Sequence, residues 1–263
     1  VSWRNMRRTD HRRAAAALIA TLALGVGPQL AAGCELPRLG EGRVAAIIDA
    51  NSIRLADGSE LTLAGLARLP PPRIADQAAL GQWLLGREVT LHGHDAEPDR
   101  YGRQSALIYR AGERVPVQAQ LLQQGAAVAS GELDDSACRA LLLAAENMAR
   151  KARAGFWSDP TAIKNPENPG DIMTRMGQFT VVEGRVLTVR SSGATVYVNF
   201  GRRWTQDFAV TISRQQVTAL ESVGLSPKAL DKRWVRVRGF IGNRNGPQIA
   251  VRHVGQIEVI GDR

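Results

Sequence analysis

Between residues 43 and 64 apolar and polar side chains alternate in three short runs. That period of two predicts strands at 43–48, 52–56 and 60–64, with the polar turn ADGS joining the last two. The period then lengthens: Ala78, Leu80, Leu84 and Leu85 predict a helix over about 74–85. REVTLHG and SALIYRAGERVPV read as strands, and VQAQLLQQG as a short helix ending at Gly125. A longer helix is predicted over about 136–154, with Leu141, Leu142, Ala145, Met148 and Ala149 on one stripe and Gly155-Phe156-Trp157 closing it. Five strands, a helix after the third and more helix at the end give the order of an OB-type barrel.

The run PTAIKNPENPGDIM has three prolines and no apolar period, so it reads as a linker. Beyond it the order returns with little sequence similarity. GQFTVVEGRVLTVRS, TVYVNFG and DFAVTIS are strands, a helix follows over about 214–222, and RWVRVRGFIG and PQIAVRHVGQIEVI are strands joined at an Asn245-Gly246 hairpin turn. The fold class expected is therefore mainly β with helices, an OB-fold barrel followed by a second OB-like β-barrel. The boundaries expected are 1–33 for a leader, 34–159 for the first domain, 160–174 for the linker and 175–263 for the second domain.

The leader reading rests on order. Five arginines between positions 4 and 13 precede the apolar run AAAALIATLALGV and the small-residue stretch LAAGC, the arrangement of a signal peptide. The apolar run falls short of the roughly 20 residues a spanning helix needs. Export to the periplasm or the medium is expected, and no transmembrane span in the mature chain. Cleavage after Gly33 leaves Cys34 first, which allows a lipid anchor; Ala31 stands where a lipobox usually has Leu. The other cysteine is Cys138, and two cysteines in an exported chain point to one disulfide. A lipid thioether and a disulfide exclude each other at Cys34; the disulfide is preferred.

Charge divides unevenly. The whole chain carries 34 basic and 25 acidic residues, +9, but residues 34–174 hold 15 basic against 18 acidic, −3, and residues 175–263 hold 14 against 6, +8. A field that attracts polyanions belongs to the C-terminal part.

Three segments, IIDANSIRLADGSELTLAGLARLP, EPDRYGRQSALIYRAGERVPVQAQLLQQGAAVA and AENMARKARAGFWSDP, resemble the staphylococcal nuclease (thermonuclease) family over roughly residues 40–159. The resemblance implies an OB-fold with a calcium-dependent phosphodiesterase site. In that family the first strand ends in Asp-Gly-Asp-Thr, whose second Asp binds calcium, and the next strand carries Arg-Leu-x-Gly-Ile-Asp-x-Pro-Glu. There the Arg clamps phosphate, the Asp binds metal and the Glu orients or deprotonates water. The positions that align are Asn51, Thr62, Ala67 and Pro70, and no carboxylate occurs between Glu60 and Asp76. The remaining family arginine is present as Arg103, which with Arg100 and Tyr101 could touch a phosphate and stack on a sugar or base. The alternative for this trio is a structural turn made by Gly102, with Arg103 paired to an acidic neighbour. The resemblance implies calcium, but its carboxylate ligands are missing, so no cofactor is expected and the first domain reads as a pseudo-nuclease.

His92 and His94 alternate near Asp95, a pattern more often solvated than metal-binding, and no metal site is expected there. In the second domain Arg202, Arg203, Trp204, Arg236 and Arg238, with Arg244, Arg252, Tyr197, Phe200 and Trp234, combine charge and rings in the manner of a single-stranded nucleic-acid or anionic-polymer site. The competing reading makes Trp234 and Phe200 core and the arginines solvated surface. The leading expectation is a non-catalytic binding protein. The alternatives are an active calcium-dependent DNA/RNA phosphodiesterase with other ligands, and an envelope component that contacts proteins.

Overall fold

A computed structural model describes residues 33–69, 74–95 and 97–261, all within one compact unit, Ala32–Arg263. The expected leader, up to residue 32, and Pro70 lie outside the described residues. The first sheet contains β1 (Arg38–Asp49), β2 (Ser52–Leu55), β3 (Glu60–Leu63), β4 (Glu88–His92) and β5 (Arg103–Arg110), closed in the order β1-β2-β3-β5-β4. One long strand makes the closure possible: the first half of β1 pairs with β4 and the second half with β2. The β3–β5 pair is parallel and the others are antiparallel. Ile53, Leu61, Leu63 and Leu107 fill the interior, with Leu80 and Leu84 from helix α1 (Ile74–Leu84).

Two further helices, α2 (Val117–Gln123) and α3 (Ser136–Ala152), close one end. Asp135 caps α3 by accepting the Cys138 N–H at 2.8 Å. Gly125 and Gly155, in the turns after α2 and α3, are both at positive φ, and a Cβ on Gly125 would stand 2.1 Å from the Ala154 carbonyl oxygen. Only glycine allows this crossing. The buried stripe of α3 is Cys138, Leu142, Ala145, Glu146 and Ala149, so Met148, expected inside, faces solvent. The helix is turned toward a buried carboxylate because Glu146 has partners waiting, described below. The Cys34–Cys138 disulfide is present and ties the chain ahead of β1 to the start of α3.

The segment read as a linker carries β6 (Ile163–Lys164), parallel to the next strand, and α4 (Pro169–Met173). The second sheet then runs through β7 (Phe179–Arg185), β8 (Thr188–Ser192), β9 (Thr195–Asn199), β10 (Ala209–Ser213), helix α5 (Arg214–Ser222), β11 (Trp234–Asn243), β12 (Pro247–Val251) and β13 (Ile257–Val259). Its path is β6-β7-β11-β12-β10-β9-β8, with β13 beside β11. Here too β10 and β12 are parallel. This is the connectivity of the first barrel, but the strand corresponding to β1 is split. Val186 donates to Arg233 on one side and Leu187 to Asn199 on the other, so the ring expected as a barrel is interrupted between β7 and β8. PQIAVRHVGQIEVI is likewise broken into β12 and β13 by a 3₁₀ turn at Val254–Gln256. Phe200 and Phe208 lie in this core, so Phe200 is a packing residue and not part of a ligand surface. Among the described residues no helix is long and apolar enough to cross a membrane.

The two sheets share a seam. Ala67, Leu69 and Val128 of the first pack with Phe179 and Val181 of the second, Ile163 between them. Beside this apolar patch, Gly131 and Gly255 approach so closely that a Cβ on Gly131 would stand 2.4 Å from the Gly255 carbonyl oxygen.

Candidate functional site

At the end of β1, Asn51 is buried; its N–H donates to Asp49 Oδ1 at 2.8 Å and its carbonyl accepts from Leu63 at 2.9 Å. Its side-chain oxygen and the Ser52 hydroxyl are buried without a hydrogen-bond partner among the described residues. Thr62, half-buried, stands opposite Ser52 in one ladder and Ser105 in the other. Ala67 is in the apolar seam, its N–H donating to the Val128 carbonyl at 2.7 Å. A carboxylate there would enter a cluster that includes Trp157, Phe179 and Val181, where burial costs a charge its hydration.

These donors do not fit calcium, which needs six or more oxygens with charge among them. Position 51 offers one neutral oxygen, positions 52 and 62 hydroxyls, and position 67 a methyl group. No group of three or more His, Cys, Asp or Glu side chains that could hold a metal occurs among the described residues. His92 bonds Leu36 O at 2.9 Å and Thr90 Oγ1 at 3.3 Å and meets the Tyr109 ring edge-on, while His94 is exposed.

Arg103 opens β5 from a turn that it helps to build. Asp99 accepts the N–H groups of Tyr101 and Arg103 at 2.8 and 3.0 Å, and its other oxygen takes the Arg103 guanidinium at 2.9 Å. Gly102 supplies the positive φ this turn requires. Arg100 and Arg103 lie 4.8 and 5.1 Å from the centre of the exposed Tyr101 ring. The backbone N–H of Arg103, then its side chain, hold the Asp99 carboxyl below the usual carboxylate range. A lowered acid pKa means the turn keeps its charge through the ordinary carboxylate range and loses this stabilisation only as pH falls through the lowered value. The Arg103 Nε resonance should therefore stay constant from neutral to mildly acidic pH and move below it, and a midpoint in the ordinary carboxylate range would contradict the paired turn.

The second domain presents a groove of about 890 Å³ along β8, β9, β10 and β12. Alternation makes it: Val196 and Val198 of β9, with Val210 and Ile212 of β10, enter the core, so Thr195, Tyr197 and Asn199, with Thr211 and Ser213, face out. Arg190, Arg202, Arg244 and Arg252 stand around it with the Trp204 ring. No carboxylate lines it, and none of these four arginines has a side-chain ion pair, among the described residues. Arg203 behaves differently. Its guanidinium and its N–H both bond Asp207, at 3.1 and 2.8 Å, bracing the loop on which Trp204 stands 70% exposed.

Arg236 and Arg238, expected as ligand-binding groups, require correction. Arg238 is fully buried: it donates to Glu146 Oε2 at 3.0 Å and to the Ala129 carbonyl at 2.9 Å, and pairs with Glu258. Arg236 pairs with Glu183 and lies 3.7 Å from Glu258. Both face the first domain, where α3 covers them, so neither offers charge to a ligand. Arg190 is the groove arginine that the sequence reading did not single out; its signal was alternation with Thr188 along one strand.

Residues 75–159 match the family described as staphylococcal nuclease homologue, as the resemblance of the N-terminal domain predicted. No curated protein matches the chain.

Proposed function

We propose that the protein holds an anionic polymer, nucleic acid foremost, without cleaving it, and does so outside the cytoplasm. The observation that carries this reading is the groove of the second domain, where four arginines without acidic partners surround exposed rings on the part of the chain with a net charge of +8. The first domain contributes a nuclease-type scaffold. The positions that would bind metal, clamp phosphate and activate water there carry Asn51, Thr62, Ala67 and Pro70, and Arg103 is engaged by Asp99. General-base and charge-stabilising groups each supply about 10² to 10⁴-fold in rate, and none of that set is available together here. The disulfide is compatible with an oxidising compartment.

Incubating the mature chain with single-stranded DNA and RNA, with and without calcium, tests both halves. Salt-sensitive retention without cleavage is expected. Calcium-dependent cleavage lost in Arg103→Ala would establish the phosphodiesterase alternative instead. Absence of retention would leave a protein-contacting role.

A further inference from the structure

We infer that the groove of the second domain takes an unpaired nucleic-acid strand, with Trp204 and Tyr197 as stacking platforms and Arg190, Arg202, Arg244 and Arg252 as phosphate contacts. The inference rests on the polymer-binding reading above and narrows it to one class of ligand. Three features separate an unpaired strand from a duplex or an acidic glycan.

The first is the tryptophan. A ring 70% exposed on a loop braced by Asp207 is held out to solvent by design of the loop, since Arg203 and Asp207 fix the backbone on either side. The Trp204 ring makes no ring or cation contact with the protein among the described residues. An apolar face kept open suits a flat partner, and a base offers one only when it is not already stacked within a duplex.

The second is the balance of donors. Guanidinium groups meet phosphate in a bidentate fork, and four of them unpaired around one groove leave positive charge that a polyphosphate backbone neutralises. The floor adds hydroxyls and amides, Thr195, Thr211, Ser213 and Asn199 among them, which can bond base edges and sugar hydroxyls. A glycan presents many hydroxyl donors, and their strongest acceptor, a carboxylate, does not line the groove among the described residues.

The third is position. Tyr197 lies in the floor on β9 and Trp204 on the loop following it, so the two rings flank one stretch of groove edged by arginines from β8, that loop and the β11–β12 turn. A backbone running past the arginines can turn successive bases toward the two rings.

The test measures binding of the mature chain to a labelled oligothymidine, the matching duplex and a polyglucuronate, by anisotropy over a salt series. Single strand is expected to bind at least tenfold more tightly than duplex. Trp204→Ala should weaken the single strand by roughly ten- to a hundredfold, the loss of one stacked base, and leave the duplex little changed, while Trp204→Phe restores most of it. Arg202→Gln should flatten the salt dependence by about 0.7 in log–log slope, the value for one phosphate of a single strand. Arg54→Ala, on the first sheet and away from the groove, should change little. Equal binding of duplex, or a single-strand affinity indifferent to Trp204→Ala, overturns the stacking assignment and leaves polymer binding standing. Preference for polyglucuronate overturns the nucleic-acid class. Failure to bind any of the three overturns the polymer-binding reading as well.

Discussion

Arg238→Met is expected to destabilise the folded chain by about 3 to 5 kcal/mol, the usual cost of removing one partner from a buried ion pair. The Arg238 guanidinium is out of water, and so is the Glu146 carboxylate that it meets at 3.0 Å. Burial alone pulls the Arg238 pKa down, but Glu146 and Glu258 outweigh it and hold the group firmly charged. Without it, Glu146 keeps the Ala129 N–H at 2.7 Å and Arg150 at 3.7 Å. Arg150 is a poor substitute, since at 3.7 Å its Nε stands beyond hydrogen-bond distance of the carboxylate. Denaturant unfolding should show a lower midpoint. The double variant Arg238→Met with Glu146→Leu should recover much of the loss, because well-packed apolar pairs often equal buried ion pairs. Recovery will be incomplete by about 1 to 3 kcal/mol, since the Ala129 N–H then lacks its acceptor. A midpoint unchanged in Arg238→Met would show that the two domains do not meet through this pair.

That seam marks where the sequence stops being sufficient. Val235-Arg236-Val237-Arg238 alternates as a strand with one wet face should, and on that pattern the arginines read as ligand contacts. Alternation reports the period of a strand and leaves open what lies over its polar side. Here α3 lies over it, with a single acidic residue turned inward on a stripe that otherwise read as apolar. The same distinction separates Arg202 from Arg203. Adjacent in sequence and equally charged, they diverge because Asp207, four residues on, engages the second.

Local pattern carries much of the fold. The strands of the first sheet, α5 and the Asn245-Gly246 turn follow from periodicity and turn chemistry. The altered positions 51, 62 and 67 follow from motif alignment, because each substitution is visible one residue at a time. The packing of Ala67 against Phe179 and Val181 was beyond reach, since it joins residues more than a hundred positions apart. The break at Val186 and Leu187 was also hidden, because both residues continue the strand-like pattern and only their divergent hydrogen bonds reveal it.

Removal of the disulfide, as Cys34→Ala with Cys138→Ala, is expected to cost about 4 to 5 kcal/mol if the loop-entropy account holds for a loop of this size. The bridge closes a separation of 104 residues, nearly the whole first domain. The folded side should change little. Leu36 remains in the core, the Leu36 carbonyl still accepts from His92, and the Tyr109 hydroxyl still reaches the Cys34 carbonyl at 3.4 Å. The loss therefore falls on the unfolded chain, which regains the freedom that the bridge denies it. Urea unfolding with and without dithiothreitol checks this: reductant should lower the wild-type midpoint to that of the double variant and leave the variant unmoved. A wild-type midpoint indifferent to reductant would mean that the bridge does not form. Against a total stability of about 5 to 15 kcal/mol for a typical domain, a loss of this size removes at least about a quarter of it. The bridge ties the chain ahead of β1 to α3, the helix that carries Glu146 to Arg238, so its loss is expected to loosen the contact between the two sheets as well.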